Sequence, residues 1–247
     1  MHSFAAEKVT QIGFFPITNT SLDILVVDIV LIILSVYIYK NVKFIPNRFQ
    51  TGVELVIGGL YDFTRSISPK NVDKIFPFFM SFFIFILFAN WSGLIPGFSS
   101  VGLKRGHDLI PLLRGGTSDI NVTLALALVS VVATHALSVN ALGIKEYLGR
   151  FISLNPINLF VGILELFSEF TKLISLSFRL FGNILAGEIV LATVSSIFAF
   201  VFPLPFLLLE VVVGLVQALV FSMLTMVFMV ILTTSHKVHK AEEVISE

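Results

Sequence analysis

Arg179 lies deep inside an apolar tract that runs from Pro156 to about Thr234, punctuated strongly only by Pro203 and Pro205. Its immediate surroundings read Ser175-Leu-Ser-Phe-Arg179-Leu-Phe-Gly-Asn-Ile-Leu-Ala-Gly-Glu188. A charge at the centre of a bilayer helix costs about 2.5–3.5 kcal/mol on insertion scales, and one substitution removes that cost. An arginine kept there reads as a functional group. The guanidinium stays charged at physiological pH, so it acts as a fixed positive point and not as a proton carrier. The chain is therefore constrained to a membrane fold built around charge movement.

Composition supports the same setting. Hydrophobic residues make up 56% of the 247 positions and charged residues 13%, and the mean hydropathy is +0.96, outside the range of soluble domains. The chain has no cysteine, which excludes disulfides and thiolate metal sites. Its formal net charge of zero excludes nucleic-acid binding driven by bulk charge. The first twenty residues show no basic n-region, short apolar core and small-residue cleavage site, so the first spanning helix is expected to direct insertion.

The hydropathy pattern predicts an all-α integral membrane protein, a single domain with five crossings. Helix one covers 22–40, and residues 48–66 repeat apolar positions at Val53, Val56, Ile57, Leu60 and Phe63. That spacing predicts an amphipathic helix lying in the interface. Helix two spans 75–95 and ends near Gly93-Leu-Ile-Pro-Gly97, and residues 98–118 read as a polar loop. Helix three occupies 119–142, with Ser118-Asp119-Ile-Asn121 as its start signal. A short charged segment with Lys145, Glu146 and Arg150 follows. The fourth helix, 156–200, is roughly 45 residues or ~65 Å long, and the fifth covers 204–235. Both exceed the ~20 residues of a perpendicular span, so a tilted hairpin turning near 196–204 is expected.

Basic residues set the orientation. Lys40, Lys43, Arg48, Arg65, Lys70, Lys74, Lys145, Arg150, Lys237 and Lys240 fall on one side, against Lys8, Lys104, Arg105 and Arg114 on the other. The split places the N-terminus outside and the C-terminus in the cytoplasm. No internal repeat is visible, which counts against an inverted-repeat transporter.

Helical arithmetic organises the polar residues of the hairpin. Glu165, Lys172 and Arg179 are spaced by seven and fall within about 40° of one another, with Ser168, Ser175 and Asn183 near the same stripe. Glu188, nine residues after Arg179, falls on the opposite face, about 180° away. Glu210 and Gln217 share a face of the last helix, with Gly214 between them. An antiparallel hairpin brings Glu188 and Glu210 to one level, where two carboxylates would share protons as a coupled pair.

Structural readings stand beside these. Glu165, Glu169 and Lys172 also fit an ion-pair ladder, and Asn183 and Gln217 fit interhelical glue. A static pairing of Arg179 with Glu165 is opposed by ~21 Å of helix between them. His135, alone on an apolar helix, reads as a satisfied structural residue, and His107, His236 and His239 as solvated. Asp119 is either a helix cap or a carboxylate at a channel mouth. No His-Glu-x-x-His, Gly-x-Ser-x-Gly or cysteine nucleophile points to a hydrolase.

At these positions the sequence closely resembles subunit a of the F-type ATP synthases. The matching motifs are Phe15-Pro-Ile-Thr-Asn-Thr20, Asn90-Trp-Ser-Gly-Leu-Ile-Pro-Gly97, Ser118-Asp-Ile-Asn-Val-Thr-Leu124, Asn155-Pro-Ile-Asn158, Leu176 through Glu188, and Gln217-Ala-Leu-Val-Phe. The resemblance implies a proton-translocating stator in a bacterial plasma (inner) membrane. Its implied partners are the c-subunit ring, the b subunits of the peripheral stalk and other ATP synthase subunits, with no cofactor. By position Arg179 corresponds to the ring-facing arginine of that family. Asn183, Glu188 and Gln217 correspond to half-channel residues, and Glu165 and Asp119 to carboxylates of the opposite pathway or its surroundings. Many bacterial members carry a histidine where Glu210 stands, so the pH dependence of this chain is expected to differ. A sodium-translocating stator and a self-contained channel or transporter are the alternatives.

Overall fold

The computed structural model describes residues 8–12, 15–95, 102–105, 108–111, 113–151, 156–197 and 203–234. Two small antiparallel hairpins, β1 (Lys8–Ile12) with β2 (Phe15–Thr18) and β3 (Gly102–Arg105) with β4 (Asp108–Pro111), accompany seven helices. The helices are α1 (Asn19–Asn41), α2 (Arg48–Ile67), α3 (Val72–Ser92), α4 (Ile120–Leu142), α5 (Ile144–Phe151), α6 (Pro156–Ile197) and α7 (Pro203–Thr233). Of these, α1, α3, α4, α6 and α7 are long and apolar enough to cross a membrane. The protein is an all-α membrane protein to which the strands are short additions. The turn expected near 196–204 and the residues His107, His236 and His239 fall wholly or largely outside the described residues.

Each boundary has a local cause. Thr18 caps α1 by accepting the Ser21 amide at 3.3 Å, which satisfies an orphan first-turn donor. Asp119 does the same for α4 through the Asn121 amide at 2.9 Å. Gly143 closes α4 with φ 81°, a left-handed conformation that favours glycine, and the chain turns directly into α5. The charged segment around Lys145 is thus a short amphipathic helix.

The core is a four-helix arrangement of α3, α4, α6 and α7. Phe82, Phe83 and Ile86 of α3 interlock with Ala218 and Phe221 of α7, Leu176 and Leu180 of α6 and Ala127 of α4. The Phe82 and Phe221 rings lie 5.8 Å apart, within the range of favourable aromatic pairs. A second cluster joins Ile75, Phe79, Leu137, Met226 and Met229. Because lipid removes most of the hydrophobic drive between helices, small hydroxyls and close packing carry much of the association. Ser130 and Thr225 bond at 2.8 Å, and Ser138 donates to the Leu232 carbonyl at 2.6 Å.

The other helices are sparsely covered. Helix α1 buries only Asn19, Thr20, Asp23 and Val27, all in its first half. Helix α2 buries only Thr64 and is tethered by the Tyr61 hydroxyl donating to Asp73 at 2.8 Å.

Candidate functional site

Arg179 projects from α6 as an exposed side chain, with α7 to one side of it. Its Nη2 lies 3.4 Å from Ser175 Oγ, and no carboxylate pairs with it among the described residues. It shares an open groove of about 310 Å³ with Ser168, Thr171, Lys172, Ser175, Leu224 and Phe228. The groove is polar on the α6 side because these residues repeat at helical spacing, while Leu176 and Leu180 turn into the core.

Beyond Arg179 toward the turn of the hairpin lies a second polar group. Asn183 Nδ2 donates to Gln217 Oε1 at 2.7 Å, joining α6 to α7. One turn further along α6, the Glu210 carboxyl lies against Gly187, where a Cβ would collide with it. Glu188, the next residue, bonds Arg114 Nη2 at 3.0 Å. Arg114 and Glu188 are only 13% and 25% exposed, so this pair is largely withdrawn from its surroundings. Glu210 is 3% exposed, and among the described residues neither of its carboxyl oxygens has a hydrogen-bond partner. The Gln217 amide nitrogen and Asn90 Oδ1 are buried in the same state.

Beside the expected pair of Glu188 and Glu210 stands a third group. The Arg114 guanidinium, from the connection after α3, pairs with Glu188, and among the described residues no cation pairs with Glu210. The reading of residues 98–118 as a polar loop changes at its end: Gly115, Gly116, Thr117 and Ser118 are buried, and the turn 116–118 packs against α1, α3, α4 and α6. Asn90 and Trp91 of α3 complete the wall, donating to the Gly214 and Val211 carbonyls of α7 at 3.0 and 3.1 Å. Gly214 permits that approach, since its Cβ position is 3.3 Å from Asn90 Cβ.

Asp119 is a helix cap, and more. Its Oδ1 accepts from the Asn121 amide and side chain, while Oδ2 accepts from Thr20 Oγ1 at 3.0 Å. Beside it is a residue to which sequence reasoning gave no role. Asp23 of α1 is fully buried, accepting from Ser92 Oγ and the Gly116 amide, both at 2.8 Å, with Oδ1 unpartnered among the described residues. An aspartate within a spanning helix was the available signal. Arg114 carried none, because a basic residue in a loop shows no periodicity.

At the opposite end of the hairpin, Glu169 bonds Lys172 at 2.6 Å and lies 3.5 Å from His135 Nε2. His135 Nδ1 is 3.0 Å from the Tyr147 hydroxyl. Glu165 is partly buried one turn earlier on α6. Among the described residues no three His, Asp or Glu side chains converge as a metal site.

The sequence profile of the family described as ATP synthase A chain matches residues 21–230. The chain is also 32% identical over 226 residues to proteins named ATP synthase subunit a from Legionella pneumophila strains Philadelphia 1, Corby and Paris, a match covering 91% of this chain and 90% of each relative. Five apolar helices, a hairpin of unusual length and a profile match across most of the sequence agree: this chain belongs to the ATP synthase A chain family.

Proposed function

We propose that this chain is the proton-conducting stator subunit of a bacterial F-type ATP synthase. On this reading it lies in the plasma membrane with its N-terminus outside and its C-terminus in the cytoplasm, beside a ring of c subunits and the b subunits of the stalk. The single observation that carries the reading is Arg179, a permanent cation exposed in the middle of a spanning helix with no carboxylate of its own among the described residues. Such a charge calls for an anionic partner from another chain, and a carboxylate carried past it on a rotating ring supplies one.

A ring carboxyl crossing lipid must be neutral, because an ion there is too costly. It exchanges its proton where polar paths reach the stator. The first path is the cluster of Asn183, Glu188, Arg114, Glu210 and Gln217, backed by Asp119 and Asp23. Its unpartnered buried oxygens and amide nitrogen are groups that water and travelling protons satisfy. The second is the groove before Arg179, with Glu165 and Lys172 toward its far end. Arg179 separates them: it attracts the ionised ring carboxylate, lowers its proton affinity and repels a hydrated proton that would cross directly.

Replacing Arg179 by Ala should abolish ATP-driven proton pumping in membrane vesicles while the complex still assembles. Arg179→Lys should restore little, because an ammonium is compact, strongly hydrated and loses its proton more readily when desolvated. Near-normal pumping by the Lys variant overturns the separator role. ATP synthesis that requires sodium and survives a proton ionophore overturns the choice of ion.

A further inference from the structure

Lys172 stands seven residues before Arg179, about 10.5 Å along the helix, and lines the same groove. Its ammonium crosses to the α7 wall of that groove. It is held by Glu169 Oε1 at 2.6 Å and lies 4.6 Å from the centroid of the Phe228 ring on α7, a cation–π arrangement. Glu169 is itself shared, since its Oε2 is 3.5 Å from His135 Nε2 of α4. His135 is fixed on its other side by the Tyr147 hydroxyl of α5 and packed edge-on against the Tyr147 and Phe151 rings. The remaining titratable and charged residues on the surrounding elements are Lys145, Glu146 and Arg150 of α5, Glu165, Arg179 and Glu188 of α6, and Glu210 of α7. Helix α4 carries none besides His135.

We infer that Lys172 is a second ring-facing cation, whose reach into the Arg179 groove is set by Glu169 and, through Glu169, by His135. The inference rests on the stator reading above. With His135 neutral, Lys172 is the one full cation against the Glu169 carboxylate among the described residues, and the pair keeps the ammonium against the Phe228 wall. When His135 takes a proton, Glu169 acquires a second cation, and its hold on Lys172 weakens. The flexible lysine stem then lets the ammonium extend into the groove. A cation there lowers the proton affinity of a ring carboxylate arriving before Arg179. Acidification of that side therefore opposes the extra loading it would otherwise cause, and the chain buffers its own rate of ion uptake. Lys172 and Glu169 are positioning residues on this account, and neither carries the transported proton.

The test uses inverted membrane vesicles bearing the complete ATP synthase, with ATP-driven proton uptake measured against external pH. The readout is the alkaline pH at which pumping falls to half. Glu169→Gln frees Lys172 and should move that midpoint to lower pH, with a several-fold loss of rate at the parental midpoint. Lys172→Gln removes the cation and should move it to higher pH. His135→Gln should flatten the acid side of the profile while keeping the alkaline limb. A merely structural ion pair predicts loss of rate with no opposed shifts, so shifts of the same sign, or none, overturn the inference. If Glu169→Gln does not assemble, the Glu169→Gln/Lys172→Gln double variant leaves no charge alone and must follow Lys172→Gln upward; a parental midpoint there overturns it equally. Arg179→Ala in the same assay separates the two claims. Retained pumping by that variant removes the stator reading, whereas loss of pumping with unsplit midpoints removes only the role of Lys172.

Discussion

Gly187 has no side chain at the point where the Glu210 carboxyl lies, and a methyl group there would overlap the carboxyl oxygen. Glu210 is buried, so it cannot swing freely aside. Gly187→Ala should cost about 1–3 kcal/mol as overpacking and slow proton passage sharply by displacing Glu210. Comparable pumping rates in vesicles from parent and variant would show that Glu210 does not depend on that contact. The neighbouring pair makes a second prediction. Arg114→Gln alone strands the Glu188 charge in a largely buried place, which costs more than removing both. The Arg114→Gln/Glu188→Gln double variant should therefore assemble better than Arg114→Gln alone, with a coupling energy of about 0.5–3 kcal/mol in a thermal-stability cycle. Strict additivity would mean that the pair contributes nothing. These residues differ in how far the sequence exposed them. Arg179 and Glu188 were visible because a charge in an apolar helix violates the local pattern. Arg114 was not, since its partner is 74 positions away and a loop carries no repeating face.

Helices were legible wherever length and hydropathy sufficed. The 42 residues of α6 and 31 of α7 exceed a perpendicular span in the sequence as plainly as in the structure. The β1–β2 and β3–β4 hairpins were not legible, being only four or five residues per strand, too short for alternation to stand above chance. Nor was the 3₁₀ turn Gly116–Ser118, which packs against α1, α3, α4 and α6 and gathers the bundle end around Asp23. That turn depends on Gly116, whose absent Cβ would strike the Ile24 side chain and approach Asp23 Oδ2 to 3.3 Å. Gly116→Ala should lower the thermal midpoint of the detergent-solubilised complex, by overpacking worth about 1–3 kcal/mol. Adding Ile24→Ala should recover part of the loss, because it removes the atoms the new methyl group meets. A Gly116→Ala variant as stable as the parent would show that the turn yields without strain.

Across the whole molecule, burial is lopsided. Helices α3, α4 and α7 supply most of the core, whereas α6 turns only a narrow edge inward, with Leu176, Ser177, Leu180 and Ile184 buried. The stripe holding Ser175, Arg179 and Gly182 is exposed. If a ring of c subunits passes along that stripe, contact should follow helical spacing and not sequence neighbourhood. The chain contains no cysteine, so single Cys substitutions report position without background. Cys at Ser175 or Gly182 should cross-link to a Cys placed near the ring carboxylate, and the yield should fall when the rotor is driven by ATP. Cys at Leu176 or Leu180, within a few residues of the reactive positions but fully buried, should give almost none. The order of reactivity is the discriminating result, because general looseness of the hairpin would label all four positions alike. Efficient cross-linking from Leu180 with none from Ser175 would place the ring on the wrong side of α6 and leave Arg179 facing lipid, a position its charge makes too costly to sustain.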